Sequence, residues 1–111
     1  MKPPTGYMSP EVLGCQFSVY PLRQKDLGPA VRAAVEAVHA AGCSVRVGNL
    51  STLITGSEDQ VFRALRAAFR AAQQHGPAVM TVTLAAGMPT DELVADIQSE
   101  VAPGVGPAAR A

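Results

Sequence analysis

The stretch Gly14–Leu22, GCQFSVYPL, decides the fold because its side chains alternate between apolar and polar types. Successive side chains of an extended strand point to opposite faces of a sheet. One face of this strand therefore carries the apolar side chains of Cys15, Phe17 and Val19. The opposite face carries amide, hydroxyl and phenol groups, on Gln16, Ser18 and Tyr20. The pattern predicts a strand whose apolar face is buried. It leaves open whether the polar face is exposed to solvent or binds a ligand.

The length and composition predict one domain without a highly charged partner. The chain has 111 residues, which is enough for a single hydrophobic core. Nine basic and nine acidic residues give a formal net charge of zero, which argues against nucleic acid and anionic membrane surfaces as partners. No segment approaches the roughly 20 apolar residues of a membrane helix or has the features of a signal peptide. We therefore expect a cytoplasmic protein that does not associate with membranes.

The sequence shows no motif for catalysis or for metal binding. Cys15 and Cys43 do not form a CxxC pair and have no further cysteine partner, so we expect reduced, buried thiols. His39 and His75 have no carboxylate or cysteine at the spacing of metal ligands. No serine or cysteine has a base that the sequence reveals. These observations argue against a metal site and against a nucleophilic hydrolase, and we expect no cofactor.

Two segments have the apolar periodicity of amphipathic helices. The first follows Asp26, the predicted N-cap, and ends at Gly42. Its predicted buried stripe consists of Leu27, Val31, Ala34, Val35 and Val38. The second helix begins at Ser57, which forms a capping box with Gln60, and ends before Gly76. Its predicted buried stripe consists of Val61, Phe62, Leu65, Ala68, Phe69 and Ala72.

Three further strands complete the predicted elements. Residues 43–47 and 50–55 are predicted to form a hairpin, because the Gly48-Asn49 pair between them is typical of tight turns. Residues 78–86, AVMTVTLAA, alternate like the first strand. One face of this last strand carries Met80, Val82 and Leu84, and the other carries Thr81 and Thr83.

The resulting order, βαββαβ, is typical of the α+β ferredoxin-like fold, a four-stranded antiparallel sheet with two helices on one face. Right-handed crossovers place the first and third strands in the centre of the sheet. We expect this domain to span residues 13–89. Residues 1–12 are predicted to form a flexible N-terminal arm. Residues 90–111 are predicted to form a short helix, capped by Thr90, and a disordered tail.

The face of the sheet that the helices leave uncovered is the candidate binding surface. It offers amide, hydroxyl and phenol groups in place of charges, a composition that suits neutral hydrogen bonding in a sheltered cavity. The third strand adds hydroxyl groups, although the sequence does not settle which of Leu53 and Ile54 faces the helices. The predicted ligand-binding residues are Gln16, Ser18, Tyr20, Ser51, Thr52, Thr55, Thr81 and Thr83.

Three segments carry a recognisable pattern: GCQFSVYPL, GNLSTLITGSEDQVFRALRAAFRAA and VMTVTLAAGMP. The first strand ends in Ser-aliphatic-Tyr-Pro, the third closes in a glycine before an acidic helix start, and the fourth alternates threonines. Over roughly residues 13–89, this pattern resembles the YkoF-like family of thiamine and hydroxymethylpyrimidine binding proteins. The resemblance implies a ferredoxin-like fold, no catalysis and a ligand of the thiamine class. Longer members carry two such repeats, whereas this chain resembles a single one. The resemblance therefore implies a homodimer or a higher homo-oligomer.

The candidate residues suit such a ligand. An aminopyrimidine presents a ring acceptor and an exocyclic amine, which complement hydroxyl and amide groups. Tyr20 could stack on this ring or on a cationic thiazolium. Because the face has no cluster of Arg or Lys, we expect the unphosphorylated vitamin or its pyrimidine.

Our leading hypothesis from the sequence is a non-catalytic protein that binds thiamine or hydroxymethylpyrimidine for salvage or transport. One alternative is a structural or oligomerisation module without a small-molecule ligand, in which the uncovered face is a subunit interface. The other alternative is a sensor for a different metabolite, such as an amino acid.

Overall fold

A computed structural model of the protein describes residues 6–101. The elements in chain order are β1 (Val12–Pro21), α1 (Gly28–Ala40), β2 (Ser44–Val47), β3 (Thr52–Ser57), α2 (Glu58–Gln73), β4 (Ala78–Ala86) and α3 (Asp91–Val101). The predicted disordered tail from residue 102 onward, and the first five residues of the predicted arm, lie outside the described residues. Within residues 6–101, no helix has both the length and the apolar character needed to cross a membrane.

The four strands form one antiparallel sheet in the order β2-β3-β1-β4, which confirms the ferredoxin-like α+β fold with β1 and β3 in the centre. Cys15 of β1 lies opposite Ile54 of β3 and Leu84 of β4. Since residues opposite each other share a face of the sheet, these side chains all lie on one side. Ile54 is therefore on the face that the helices cover, and Leu53 is on the open face.

The core lies between this covered face and the two helices α1 and α2. Cys15, Phe17 and Ile54 of the sheet are almost completely buried. Small side chains dominate the helical contribution, which lets the two helices approach each other and the sheet closely. The buried helical residues are Ala30, Ala34 and Val38 of α1 and Val61, Ala64, Leu65, Ala68 and Ala72 of α2.

The predicted helical stripes were wrong at three positions. Leu27 at the N-cap of α1, Val31 of α1 and Phe62 of α2 are exposed. In α1 the buried residues are Ala30, Ala34 and Val38, so two small alanines occupy the buried line in place of Leu27 and Val31. Helical periodicity alone ranks the larger side chains first, whereas the close spacing of the two helices selects the smaller ones.

The ends of the helices follow the predicted signals, with one shift. Ser57 Oγ accepts a hydrogen bond from Gln60 N at 3.2 Å and Gln60 Oε1 accepts one from Ser57 N at 3.0 Å, which confirms the capping box. Gly42 ends α1 with φ of 90°, in the left-handed region that glycine tolerates. The N-cap of α1 is Leu27 and not Asp26. Asp26 Oδ1 accepts instead from Gly28 N, at 3.1 Å.

The loop between β2 and β3 is longer than the predicted two-residue turn. Val47 pairs with Thr52, so residues 48–51 form a four-residue loop. The Gly48 N–H donates to the Ser51 carbonyl at 2.9 Å, which closes the loop. Leu50 and Ser51, predicted to begin the third strand, therefore belong to this loop. β3 in turn continues to Ser57, which lies opposite Val12 of β1.

Residues 87–90 return across one end of the open face, and we call them the return segment. The Met8 N–H donates to the Met88 carbonyl at 2.6 Å, and the Thr90 N–H donates to the Gly6 carbonyl at 2.8 Å. Residues 6–8, which belong to the segment 1–12 predicted to form a flexible arm, thus make backbone hydrogen bonds with the return segment. The Met88 side chain lies over Gly14, where a Cβ atom would overlap its sulfur. Met88 can therefore contact the sheet surface because residue 14 of β1 is a glycine.

Helix α3 continues from the return segment. Thr90 Oγ1 accepts from the Leu93 N–H at 3.2 Å, as expected of the predicted cap. Arg46 Nη2 of β2 lies 3.4 Å from Asp91 Oδ2 at the start of the helix. Both side chains are largely exposed, so this ion pair contributes little to stability.

We predict that titration of Cys15 lowers stability at high pH. Burial raises the pKa of the Cys15 thiol from 9.0 to about 11, with a smaller contribution from Cys43. Because the folded state holds the proton more tightly than the unfolded state, this contribution to the free energy of unfolding is fully present below pH 9 and is lost as pH rises through about 11. Urea unfolding between pH 8 and 11 should show this decline. In Cys15→Ala, which is less stable overall because of the cavity it leaves, the decline should be shallower. An equal pH dependence in the two proteins would contradict this assignment.

We predict that Gly14→Ala loosens the return segment while the sheet stays folded. The new methyl group displaces the flexible end of Met88, which costs little in the sheet but removes the contact that holds the segment. The amides of Met8 and Thr90 should then exchange hydrogen roughly tenfold faster, which corresponds to about 1.4 kcal/mol of local opening free energy. Gly28→Ala, at the start of α1, is the matched control and should leave both amides unchanged. Unaltered exchange in Gly14→Ala would show that Met88 does not anchor the segment.

Candidate functional site

The open face carries a polar cavity of about 330 Å³ in front of β1 and β4. Gln16 lies opposite Thr83, and Ser18 lies opposite Thr81, so alternate residues of two neighbouring strands meet on the same face. The loop between β2 and β3 closes one side. The residues that line the cavity are Gln16, Ser18, Tyr20, Leu50, Ser51, Thr81 and Thr83. Six of the eight residues predicted from the sequence are thus brought together here.

Two side-chain hydrogen bonds fix the wall of this polar cavity. Gln16 Nε2 donates to Ser51 Oγ at 2.5 Å, and the Ser18 hydroxyl donates to the Leu50 carbonyl at 3.1 Å. Both bonds join the central strand to the loop, so the loop is held at the edge of the cavity. Gln16 keeps its carbonyl oxygen and a second N–H hydrogen, and Ser18 keeps acceptor lone pairs. The wall can therefore both donate to and accept from a ligand.

The structure separates Thr52 and Thr55 from the other predicted site residues. Thr52 lies opposite Phe17 on the covered face and is only 7% exposed, so it is part of the core. Thr55 lies opposite Gly14 on the open face, but it lines a different cavity. The cause is that side chains along a strand alternate between the two faces of the sheet. Because Ile54 is on the covered face, Thr52 lies on that same face and Thr55 lies on the open face.

This second open-face cavity, of about 340 Å³, lies between β2, β3 and the return segment. Arg46, Leu53 and Thr55 of the sheet form one wall, and Met88 and Asp91 form the facing wall. Arg46 lies opposite Leu53, which places a charged residue on the open face that was expected to be uncharged. That expectation rested on side chains of β1, β3 and β4 and did not include those of β2. Among residues 6–101, no positively charged side chain lines the polar cavity itself.

An apolar cleft of about 170 Å³ opens beside the polar cavity, between α1 and the loop 48–51. Val31 and Val35 of α1 face Val47 and the loop across this cleft. Its rim shares four residues with the polar cavity, namely Ser18, Tyr20, Leu50 and Ser51. The polar cavity and the apolar cleft are therefore continuous around Tyr20.

Sequence reasoning missed Leu50, Arg46 and Met88. Leu50 is 92% exposed at the tip of the loop, where a large apolar side chain next to a polar cavity is a signal in itself. Alternation along β2 could have placed Arg46 on the open face, since Val45 and Val47 bracket it. Met88 gave no signal, because its position depends on how the chain turns after β4.

The described residues hold no group of three or more His, Cys, Asp or Glu side chains arranged to bind a metal ion. The polar cavity is lined by neutral side chains of amide, hydroxyl, phenol and aliphatic types. Such a lining can orient a neutral or weakly charged heterocycle through hydrogen bonds and ring stacking.

Known proteins share both the sequence pattern and the fold. A Bacillus subtilis (strain 168) protein, described as a candidate HMP/thiamine-binding protein and called YkoF, is 35% identical over 77 residues. That match covers 68% of this chain and 38% of the relative, so the chain spans well under half the length of that protein.

Two solved structures have the same fold at low sequence identity. A domain of unknown function, DUF77, from Bacillus cereus superposes with a TM-score of 0.69 at 24% identity, covering 81% of this chain and 93% of that one. A Thermotoga maritima protein, described as a candidate thiamine biosynthesis or salvage protein, has a TM-score of 0.67 at 18% identity, covering 78% of this chain and 98% of that one. Residues 12–91 match the YKOF-related family. Since this match takes in β1 through β4 and most of the chain, the protein belongs to the YkoF-related family, as its sequence pattern predicted.

Proposed function

We propose that this protein binds thiamine or its hydroxymethylpyrimidine moiety in the polar cavity, without catalysing a reaction, in salvage or transport of the vitamin. The observation that carries the proposal is a cavity of about 330 Å³ on the open face, lined by neutral hydrogen-bonding groups beside Leu50. Sites for small ligands typically measure about 300–1,000 Å³. The names of the B. subtilis and T. maritima relatives indicate the same class of ligand. A cytoplasmic location remains a prediction.

The chemistry of the cavity wall supports a pyrimidine. An aminopyrimidine needs an acceptor for its exocyclic amine and a donor for its ring nitrogen. The side-chain amide of Gln16 supplies one of each in a single group, after its bond to Ser51 is counted. The hydroxyl groups of Thr81 and Thr83, on the neighbouring strand, add donors and acceptors on the opposite side.

Tyr20 and the apolar cleft suit the thiazolium part of thiamine. Tyr20 stands where the polar cavity meets the cleft and exposes about half of its surface. An exposed aromatic face attracts a cation such as thiazolium by roughly 0.5–1 kcal/mol. Arg46, a cation of the open face, lines the other cavity and pairs with Asp91. The polar cavity therefore favours the unphosphorylated vitamin over its diphosphate.

Calorimetric titration tests this proposal directly. Thiamine, hydroxymethylpyrimidine, thiamine phosphates and a set of amino acids are titrated separately into the full chain. We expect saturable binding of thiamine or hydroxymethylpyrimidine and weaker binding of the phosphates. At a hundredfold excess over its dissociation constant, the ligand should also stabilise the fold by about 2.7 kcal/mol. Binding of an amino acid alone would establish the sensor alternative, and no heat with any compound would refute ligand binding.

Matched substitutions locate the site. Gln16→Leu removes the amide while keeping a similar volume, so an exocyclic amine loses its partner. We predict at least about tenfold weaker binding of hydroxymethylpyrimidine, equivalent to about 1.4 kcal/mol, with only a small fall in melting temperature from the loss of the exposed Gln16–Ser51 bond. Thr55→Leu, on the same face but in the other cavity, is the control and should bind normally. If Thr55→Leu abolishes binding and Gln16→Leu does not, the ligand occupies the cavity beside Arg46 and the present assignment is wrong.

A second candidate function is that of an oligomerisation module. The observation that favours it is the exposure of Val82 and Leu84, two apolar residues on the side of the sheet that the helices cover. We also propose that the chain forms a homodimer, and the two functions are compatible. A dimer that binds none of the compounds above would leave the module as the function.

A further inference from the structure

The second open-face cavity, to which the proposed function assigns no ligand, combines two opposite charges with an apolar wall. Arg46 of β2 and Asp91 of α3 both line it. Its apolar lining includes Leu53, Met88 and Val94. Its volume of about 340 Å³ lies within the range of sites for small ligands. The lining therefore suits a small molecule that has both charged and apolar parts.

Two cross-strand pairs form the sheet side of this cavity. Ser44 of β2 lies opposite Thr55 of β3, and Arg46 lies opposite Leu53. Because residues opposite each other share a face, two hydroxyl groups and a guanidinium group lie beside an aliphatic side chain. The guanidinium and hydroxyl groups can all donate hydrogen bonds to a carboxylate. The sheet therefore offers a place for an anionic group next to an apolar surface.

Helix α3 forms the facing side of the cavity and is weakly packed. Asp91 begins the helix, and Val94 follows three residues later, on the same side. No residue from Asp91 to Val101 is buried, and Val94 is 38% exposed. The start of the helix thus faces the sheet across an open cavity and not across a packed apolar contact. A ligand that fills this space would give Val94 an apolar partner.

The ion pair across the cavity is weak enough for a ligand to replace it. Arg46 Nη2 lies 3.4 Å from Asp91 Oδ2, and the two side chains are 69% and 83% exposed. Such an exposed pair contributes little to stability, so separating it costs little. A lone anion would be attracted by Arg46 and repelled by Asp91, and a lone cation would meet the reverse. A zwitterion gives each side chain a partner of opposite charge.

We infer that the second open-face cavity binds a free α-amino acid with a large apolar side chain. Because Arg46 and Asp91 are adjacent, the two charges of the ligand must be close together, as they are in an α-amino acid. Its carboxylate accepts from Arg46, and its ammonium group donates to Asp91. Its side chain lies against Leu53, Met88 and Val94.

This amino acid site is separate from the polar cavity, so the inference does not rest on the proposed function. It also differs from the sensor alternative, in which an amino acid takes the place of thiamine. Methionine side chains are flexible and fit apolar groups of differing shape. The site should therefore accept both leucine and methionine.

Calorimetric titration of the full chain with L-leucine and two analogues tests the inference. Leucinamide lacks the carboxylate, and 4-methylpentanoate lacks the ammonium group. We expect saturable binding of leucine and at least about tenfold weaker binding of either analogue, because each leaves one charged side chain without its partner. The absence of saturable heat with leucine and with methionine at millimolar concentration would overturn the inference.

Two substitutions locate the charged groups of the ligand. Arg46→Gln should weaken leucine binding at least about tenfold and remove the preference for leucine over leucinamide, since the carboxylate then has no charged partner. Asp91→Asn should remove the preference for leucine over 4-methylpentanoate in the same way. Arg32→Gln of α1 and Asp96→Asn of α3 are the matched controls, because both residues are exposed and lie outside the cavity. Both controls should bind leucine normally, and retention of both preferences in the Arg46 and Asp91 variants would refute the assignment.

Hydrogen exchange reports whether the ligand contacts α3. The Val94 N–H donates to the Thr90 carbonyl at 3.0 Å, in the first turn of the helix. A ligand that bridges β2 and α3 opposes local opening of this turn. At a tenfold excess over its dissociation constant, leucine should slow exchange of the Val94 amide roughly tenfold. An exchange rate that leucine leaves unchanged would contradict the contact with α3.

Cross-titration separates this inference from the proposed function. Gln16→Leu, which alters the polar cavity, should bind leucine as the unmodified chain does, and Arg46→Gln should bind thiamine normally. Loss of leucine binding in Gln16→Leu would place the amino acid in the polar cavity and overturn the inference. A chain that binds leucine but neither thiamine nor hydroxymethylpyrimidine would refute the proposed function alone.

Discussion

Cys15 and Phe17 of the central strand β1 are almost completely excluded from water, and their burial determines the face on which every other strand residue lies. β1 pairs with β3 on one side and with β4 on the other. A shift of one residue in either pairing would bring apolar side chains to the open face and polar ones to the helices. The hydrophobic core therefore sets the register of the strands. The same register places the polar side chains together on the opposite side of these strands, where they form the polar cavity.

The open face is divided by a single small residue. Gly14 continues the series of Gln16 and Ser18 along β1, but it has no side chain, and Met88 occupies the space. The return segment thereby covers one end of the face and leaves the polar cavity uncovered at the other end. Two cavities of similar size result, one beside the Arg46–Asp91 pair and one lined by neutral groups. Their different charges give the face two chemically distinct surfaces.

Local signals predicted the fold and most of the site, because strand alternation and helix caps are properties of neighbouring residues. The alternation in β1 and β4 assigned Gln16, Ser18, Thr81 and Thr83 to one face, and the capping box located the start of α2. Thr52 lies on the covered face and not on the open one, because hydroxyl side chains suit either face of a strand and composition could not replace register. The four-residue loop is closed by a backbone bond between Gly48 and Ser51, and the place of Met88 depends on a tertiary contact, the pairing of residues 88–90 with residues 6–8. No periodicity in the sequence encodes these contacts.

β4 contributes to both faces of the sheet. Its threonines lie in the polar cavity, and its aliphatic residues Val82 and Leu84 lie on the opposite side of the sheet. An edge strand that pairs on one side only has fewer hydrogen bonds to oppose local opening than a strand paired on both sides. The proposed ligand would contact Thr81 and Thr83 only while β4 is in place, so its binding should oppose this local opening by mass action.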